Sequence, residues 1–250
     1  MAKAIPELAT LKVLEIISAA LAKEGAALTA PRLKRDHGID DTVFWEASNY
    51  GCRQKFIKCG SQNYHSFVKE FVIPESAYYS SLISAVQRLW IDESYDASNF
   101  YIEDTSSKDA KVIGSWVRPD FTLLSYKKFT WTIGDEFDVV TFEVKRPDSA
   151  NVLAVFEALA HSTAATRAYA IFPMSLSDWE QTHPRQAERV RDECSRHGIG
   201  LILVDDILGP TPIASHIIKA ARRQIDHEKC SSFLEAVLSA DGRSRIARWK

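Results

Sequence analysis

The sequence has no strong excess of charge of either sign. Its 250 residues include 31 lysines and arginines against 33 aspartates and glutamates, which gives a formal net charge of -2. Proteins that attract nucleic acid over their whole surface are strongly basic. The near balance excludes that class, so any contact with phosphates must come from local basic patches.

The sequence also lacks long apolar runs and closely paired cysteines. No stretch approaches the ~20 apolar residues needed to cross a bilayer, and no apolar block of a signal peptide follows Met1-Ala2-Lys3. The four cysteines form no Cys-x-x-Cys pair. Cys52, Cys59 and His65 offer zinc ligands in principle, but their spacing fits no common zinc finger. These absences predict a soluble, cytoplasmic protein with reduced thiols and no membrane partner.

A glycine-rich phosphate loop and a Gly-x-Ser-x-Gly motif are both missing. A small-molecule α/β enzyme is therefore the least favoured class of function. The apolar fraction of 46% and the charged fraction of 26% are typical of globular proteins. A chain of this length accommodates a compact domain and an accessory module of about 70 residues.

The first 72 residues have the pattern of a small, mainly helical module. From Leu8 to Glu24 apolar residues recur at helical spacing, and Gly25 follows as a stop. Pro31 is typical of the first turn of a second helix, and Val43 to Asn49 forms a third. Two β-prone segments flank Gly60 like a hairpin. Three helices and a hairpin are the outline of a winged helix-turn-helix.

A winged helix would place its third helix in the major groove of DNA, with nearby cations on the phosphates. The candidate nucleic-acid-binding residues are Arg32, Lys34, Arg35, Arg53, Lys55 and Lys58, of which the last three are expected on the hairpin. The alternative is that these helices buttress the rest of the protein or form the surface of a homodimer.

Residues 73–250 have the alternating pattern of an α/β domain. Short segments rich in β-branched and aromatic residues predict strands, and apolar stripes at helical spacing predict helices. The predicted strands are Trp116–Leu124, Phe129–Ile133, Phe137–Lys145, Ala168–Phe172 and Ile199–Val204; the predicted helices are Tyr78–Trp90, Ser149–Ser162 and one that begins at Pro184. A basic helical tail, from Lys219 to Arg248, is expected to be solvated or to follow a bound duplex.

Two of these strands carry charged residues that are expected to meet. Side chains alternate along a strand, so Glu143 and Lys145 point to one face. Asp120 lies near the start of the preceding strand, and an antiparallel return brings that start beside the end of the Glu143 strand. Two neighbouring carboxylates repel each other unless a cation neutralises them, and their oxygens suit Mg²⁺ or Mn²⁺. The sequence therefore predicts a divalent metal site.

The order Arg118-Pro119-Asp120, then Glu143-Val144-Lys145, then a helix and a strand, resembles the PD-(D/E)XK nuclease superfamily. The resemblance implies the restriction-endonuclease-like fold, a mixed central sheet flanked by helices. It implies that Asp120, Glu143 and the carbonyl of Val144 bind Mg²⁺ or Mn²⁺ and that Lys145 activates water. The implied activity is the hydrolysis of phosphodiester bonds in DNA.

The resemblance also singles out two glutamates on helices. Family members often add an acidic residue from the helix before the sheet, and Glu75 is the candidate here. Glu75 can equally complement the positive end of a helix dipole. Many members carry Gln on the helix after the Lys, where Glu157 and His161 share a helical face. Glu157 is then either a support for the site or part of a solvated charge pair.

Each motif also has an ordinary structural explanation. A Glu-x-Lys pair on a strand is commonly an exposed ion pair worth under ~1 kcal/mol, and Pro-Asp is frequent in turns. Glu143, however, interrupts an apolar strand, where an unpaired charge is unfavourable. A metal-dependent endonuclease is therefore the favoured prediction, and a non-catalytic DNA-binding or regulatory protein on a nuclease-like scaffold is the alternative.

Overall fold

The computed structural model describes residues 6–93, 95–106, 118–131 and 133–249. The chain divides into two compact units, Met1–Tyr78 and Tyr79–Lys250. The sequence placed this division at 72/73, six residues earlier than the structure does.

The described part of the first unit combines three helices with a small antiparallel sheet. In chain order its elements are α1 (Leu8–Glu24), β1 (Leu28–Thr29), α2 (Ala30–His37), α3 (Asp41–Arg53), β2 (Ile57–Cys59) and β3 (Tyr64–Phe67). Strand β3 lies between β1 and β2. Arg53 is thus the last residue of α3 and not part of the hairpin, where the sequence placed it.

Local chemistry sets the bounds and the close packing of these helices. Gly25 adopts φ 66°, a left-handed conformation that suits glycine and ends α1. The Asp40 side chain accepts hydrogen bonds from the backbone at the start of α3. A Cβ on Gly51 of α3 would come within 2.5 Å of the Leu14 side chain of α1. The absence of a side chain at Gly51 therefore lets the two helices approach closely.

A disulfide joins Cys52, near the end of α3, to Cys59 of β2, with 6.0 Å between the Cα atoms. The expectation of reduced thiols is therefore wrong for this pair. The bonded sulfurs also do not form the zinc site that the sequence left open with His65. Cys194 and Cys230 are free and buried, as expected of reduced thiols.

The second unit is a mixed α/β domain. Its described elements are α4 (Tyr79–Asp92), β4 (Phe100–Asp104), β5 (Phe121–Lys128), β6 (Asp135–Val144), α5 (Leu153–His161), β7 (Arg167–Phe172), α6 (Leu176–Thr182), α7 (Pro184–His197), β8 (Gly200–Asp205), β9 (Ile213–Ile218), α8 (His227–Val237) and α9 (Ala240–Ala247). The six strands form one sheet in the order β4-β5-β6-β7-β8-β9. The predicted mixed sheet flanked by helices is confirmed at this level.

The strands of the sheet run in both directions. Strands β5 and β6 form an antiparallel hairpin, β6, β7 and β8 are parallel, and β4 and β9 are antiparallel edges. Parallel neighbours need a crossover connection, which α5 supplies between β6 and β7. Trp90 of α4 packs on Phe142 at one face of the sheet. Residues of α5 and α7 form a buried core with β7 and β8.

Two local predictions for the second unit are wrong. Phe129–Ile133 is not a strand, because its described residues lie in the turn between β5 and β6, with Trp131 and Ile133 fully exposed. The helix predicted to start at Ser149 starts at Leu153: Ser149 ends a short 3-10 turn, and Asn151 accepts a hydrogen bond from the Leu153 amide. Elements α6 and β9 were not predicted. The predicted residues Trp116 and Val117 lie outside the described residues.

The C-terminal segment is part of the fold rather than a solvated tail. Helix α8 buries Cys230, Phe233 and Val237 in a core shared with Leu124 and Val139 of the β5–β6 hairpin. Its apolar face therefore covers the sheet. No helix in the part of the chain that the structure describes combines the length and apolar character needed to cross a membrane.

Candidate active site

Strand pairing brings Asp120 and Glu143 to the same end and face of the sheet. Phe121, the first residue of β5, pairs with Phe142 of β6. The Asp120 amide donates a hydrogen bond to the Phe142 carbonyl at 3.0 Å. Extending this register by one residue places Asp120 opposite Glu143, and residues directly opposite in an antiparallel pair share a face.

The Asp120 carboxylate is held by two hydrogen bonds. Its Oδ2 accepts from the Val144 amide at 2.8 Å, and its Oδ1 accepts from the Tyr79 hydroxyl. Burial raises the pKa of Asp120, although both hydrogen bonds favour the charged form. Tyr79, the first residue of α4, was not identified from the sequence. Its separation from Asp120 along the chain leaves no local signal of the contact.

Glu143 is almost fully buried and is bonded to Lys145. The Glu143 side chain is 9% exposed, and the Lys145 ammonium donates to its Oε1. Lys145 also lies 2.6 Å from Oε2 of Glu157 on α5. Both glutamates therefore face the same ammonium. The Glu157 side chain is 31% exposed and contacts the Lys145 ammonium. Glu157 is therefore not part of a solvated charge pair with His161.

The protonation of the two glutamates is linked. Burial, together with the nearby charge of Asp120, raises the pKa of Glu143 to about 9 against the opposing effect of Lys145. Burial also acts to raise the pKa of Glu157, but hydrogen bonds with Glu143 and Lys145 outweigh it and lower that pKa. At neutral pH Glu143 therefore holds a proton in the hydrogen bond that it shares with ionised Glu157.

His161, the last residue of α5, faces Oε2 of Glu143, the oxygen that Lys145 does not contact. Its side chain is 6% exposed, and Nδ1 is 3.5 Å from Glu143 Oε2. That separation is too long for a good hydrogen bond, and the buried Nδ1 has no hydrogen-bond partner among the described residues. Burial lowers the pKa of His161 to about 4, so the imidazole is neutral at pH 7. The sequence paired His161 with Glu157 but missed its proximity to Glu143.

The remaining predicted site residues have different positions. Val144 is fully buried, and its amide binds Asp120. Glu75 belongs to the first unit, where it begins the 3-10 turn Glu75–Tyr78, and it is partly buried. The described residues include no group of three or more His, Cys, Asp or Glu side chains that could hold a metal ion. Asp120 and Glu143 supply two carboxylates, and the third ligand expected from the sequence was a backbone carbonyl.

The six predicted DNA-binding cations fall into two groups. One group makes ion pairs with acidic residues of its own unit: Arg32 with Glu24 and Asp36, Lys34 with Asp41, and Arg35 with Asp36. The other group, Arg53, Lys55 and Lys58, is exposed and makes no ion pair within the described residues. The second group is therefore the one available to an external anion.

A comparison with protein-family models found no match for this chain, and a comparison with curated protein sequences found none either. Among solved structures, the chain is similar to the SPO1766 protein of unknown function from Silicibacter pomeroyi. The two are 15% identical, the match covers 71% of this chain and 90% of that chain, and the TM-score is 0.38.

Proposed function

We infer that the second unit is a metal-dependent nuclease that hydrolyses phosphodiester bonds in DNA. The observation that carries this inference is the position of Asp120 opposite Glu143, with Lys145 bonded to Glu143 at the same end of the sheet. Two carboxylates and an ammonium at this position, ahead of a helix and a parallel strand, are what the PD-(D/E)XK resemblance requires.

The charges of the cluster fit a divalent cation. Glu143 keeps its proton because burial and the Asp120 charge disfavour a second anion there. Carboxylate and carbonyl oxygens are the ligands that Mg²⁺ and Mn²⁺ take in proteins. Asp120, Glu143 and the Val144 carbonyl would hold the ion. Once bound, it would lower the pKa of water and stabilise charge on the scissile phosphate.

The protein's own groups would orient the reaction. Tyr79 and the Val144 amide fix the Asp120 carboxylate in one orientation. Glu157 holds the Lys145 ammonium beside Glu143. The ammonium nitrogen lies 2.6 Å from Glu157 Oε2. Lys145 is thereby positioned to polarise the attacking water and to stabilise negative charge as the phosphate is attacked. Glu75, which the resemblance added to the catalytic set, has no role in this proposal.

The test is cleavage of plasmid DNA with Mg²⁺ or Mn²⁺. We expect cleavage by the wild type and its loss in Asp120→Asn and in Lys145→Ala, with folding checked by circular dichroism. Asp148→Asn is the matched control, because Asp148 is an exposed carboxylate that pairs with Arg146 close to the cluster along the chain. Equal cleavage by Asp120→Asn and the wild type would refute the assignment.

The first unit is proposed to bind DNA as a winged helix. Its order of three helices and a three-stranded sheet supports this proposal, as do the exposed cations Arg53, Lys55 and Lys58, for which the described residues offer no ion pair. Changing these three to Gln should reduce the slope of log Kobs against log salt concentration by about 2 to 3. The control changes the ion-paired Arg32, Lys34 and Arg35 to Gln. Equal slopes for the two triple variants would argue against the proposed surface.

A non-catalytic DNA-binding protein is the second candidate. It is favoured by the contacts of the Lys145 ammonium with both Glu143 and Glu157, which occupy this ammonium within the protein. This candidate predicts DNA binding that is independent of Mg²⁺ and Mn²⁺, and calorimetry that detects no binding of either ion. The nuclease predicts ion binding that is lost in Asp120→Asn.

A further inference from the structure

His161 presents an unpartnered nitrogen to the buried carboxyl group of Glu143. Its side chain is 6% exposed, and its Nδ1 has no hydrogen-bond partner among the described residues. Buried polar atoms are nearly always hydrogen-bonded, so an exception at a charged cluster calls for a ligand. The ring nitrogen that lacks a partner is also the one that faces Glu143 Oε2.

His216 provides an internal comparison. It is similarly buried, with a side chain 8% exposed, and its Nε2 lies 3.4 Å from Glu93 Oε1. Lys219 lies 2.6 Å from the same Glu93 oxygen and compensates its charge. The unpartnered nitrogen of His216 is Nδ1, not the nitrogen that faces the carboxylate. The arrangement at His161 is therefore not a general property of buried histidines in this fold.

The distance between His161 and Glu143 is informative in itself. A separation of 3.5 Å is long for a hydrogen bond. Two ligand atoms bound to one tetrahedral ion at ~2.1 Å lie about 3.4 Å apart. The distance and the burial of His161 thus agree with a shared cation.

We propose that His161 Nδ1 is a ligand of the divalent ion held by Glu143, which makes the site selective for ions that accept imidazole nitrogen. Such ions include Zn²⁺, Co²⁺ and Fe²⁺, with Mn²⁺ tolerating nitrogen better than Mg²⁺ does. The proposal rests on the proposed function, because it takes Glu143 as a metal ligand. It adds to that function a nitrogen ligand beside Glu143 and a preference among ions.

The experiment measures ion binding directly, on the full chain. Mn²⁺, Co²⁺ and Mg²⁺ are titrated calorimetrically into the wild type, His161→Gln and the matched control His216→Gln. We expect His161→Gln to weaken Co²⁺ and Mn²⁺ binding by about 100-fold, at the upper end of the effects seen for residues that support metal ligands. Mg²⁺ binding should change by less than about threefold, because Mg²⁺ prefers oxygen ligands. His216→Gln should bind all three ions as the wild type does.

Pulsed electron paramagnetic resonance of the Mn²⁺-loaded wild type supplies a second measurement that needs no variant. Coupling of the ion to a ¹⁴N nucleus, lost or reduced in His161→Gln, supports the proposal. Mn²⁺ binding without nitrogen coupling overturns it and leaves the nuclease proposal standing. Failure of the wild type to bind any of the three ions overturns both. If His161→Gln does not fold, the wild-type spectrum alone decides.

Discussion

Strand β6 carries two buried carboxyl groups whose surroundings are opposite. Asp138 is 2% exposed and Glu143 is 7% exposed. They are five residues apart, an odd number, so their side chains point to opposite faces of the sheet. The same strand therefore places one acid in each layer of the fold, under similar burial but with different partners.

Asp138 is surrounded by compensating groups. Its Oδ1 accepts from Thr166 at 2.7 Å and from Arg222 at 2.9 Å, and its Oδ2 accepts from Arg167 at 3.1 Å. Burial acts to raise the pKa of Asp138, but these partners outweigh it and lower that pKa. Asp138 is thus ionised and satisfied by the protein alone, as a structural carboxylate should be.

Glu143 has the opposite balance. One lysine serves both Glu143 and Glu157, and burial with the Asp120 charge raises the pKa of Glu143 to about 9. Carboxyl groups with raised pKa values and incomplete compensation are concentrated at functional sites. Burial alone therefore does not mark a functional site; a shortage of positive charge around the buried acid does.

The largest expected effect is a loss of DNA cleavage that distinguishes Glu143 from Asp138. Glu143→Gln should reduce metal-dependent cleavage by about 100- to 1000-fold, because removing a single group that stabilises transition-state charge costs that much. At pH 8 its free energy of unfolding should be no lower than that of the wild type, since the change removes a poorly compensated acid. Plasmid cleavage and urea unfolding measure the two quantities. A strongly destabilised Glu143→Gln would mean that Glu143 is structural, like Asp138.

Asp138→Ala should give the opposite result. It removes the buried carboxylate from Arg167 and leaves only the more exposed Glu136 as its partner, and breaking a buried pair costs about 3 kcal/mol of unfolding free energy. Asp148→Ala is the control, because the Asp148–Arg146 pair is more exposed and should contribute under about 1 kcal/mol. Urea unfolding of both variants provides the measurement. Similar values for the two variants would mean that the buried Asp138 stabilises the fold no more than an exposed acid does.

The dependence of the unfolding free energy on acidic pH offers a test with a smaller effect. The folded-state pKa of Asp138 lies below its ordinary value of 3.8. A depressed pKa contributes stability at pH values above the unfolded pKa, and this contribution is lost as the pH falls through the folded pKa. Between pH 5 and pH 2 the wild type should therefore lose more unfolding free energy than Asp138→Asn. If the unfolding free energies of the two proteins fell in parallel over this range, Asp138 would not have a depressed pKa in the folded state.

Local patterns in the sequence were sufficient to predict the central charge cluster. Alternation along β6 predicted that Glu143 and Lys145 share a face, and antiparallel pairing predicted that Asp120 lies beside them. These relations depend on one hairpin, whose register follows from alternation and strand direction. The start of α7 at Pro184 was equally local, because proline suits the first turn of a helix.

Contacts between distant segments were not predicted. The Tyr79 hydroxyl reaches Asp120 across 41 residues, and the approach of His161 to Glu143 depends on how α5 packs on the sheet. Composition was also misleading where burial decides the structure. The aromatic and β-branched residues near Trp131 suggested a strand, yet the described residues among them lie in an exposed turn.

Tyr79→Phe is expected to give the smallest change, and it tests whether Asp120 belongs with Glu143 or with Asp138. The variant removes one hydrogen bond to the Asp120 carboxylate and keeps the aromatic ring packed on Phe121. If Asp120 is a metal ligand, loss of the group that orients it should weaken Mn²⁺ binding by about 10-fold, with a stability change of about 1 kcal/mol. Calorimetry measures the Mn²⁺ affinity, and urea unfolding measures the stability change. An unchanged Mn²⁺ affinity with a lower stability would place Asp120 among the structural acids, because a hydrogen bond that serves only the fold leaves ion binding untouched.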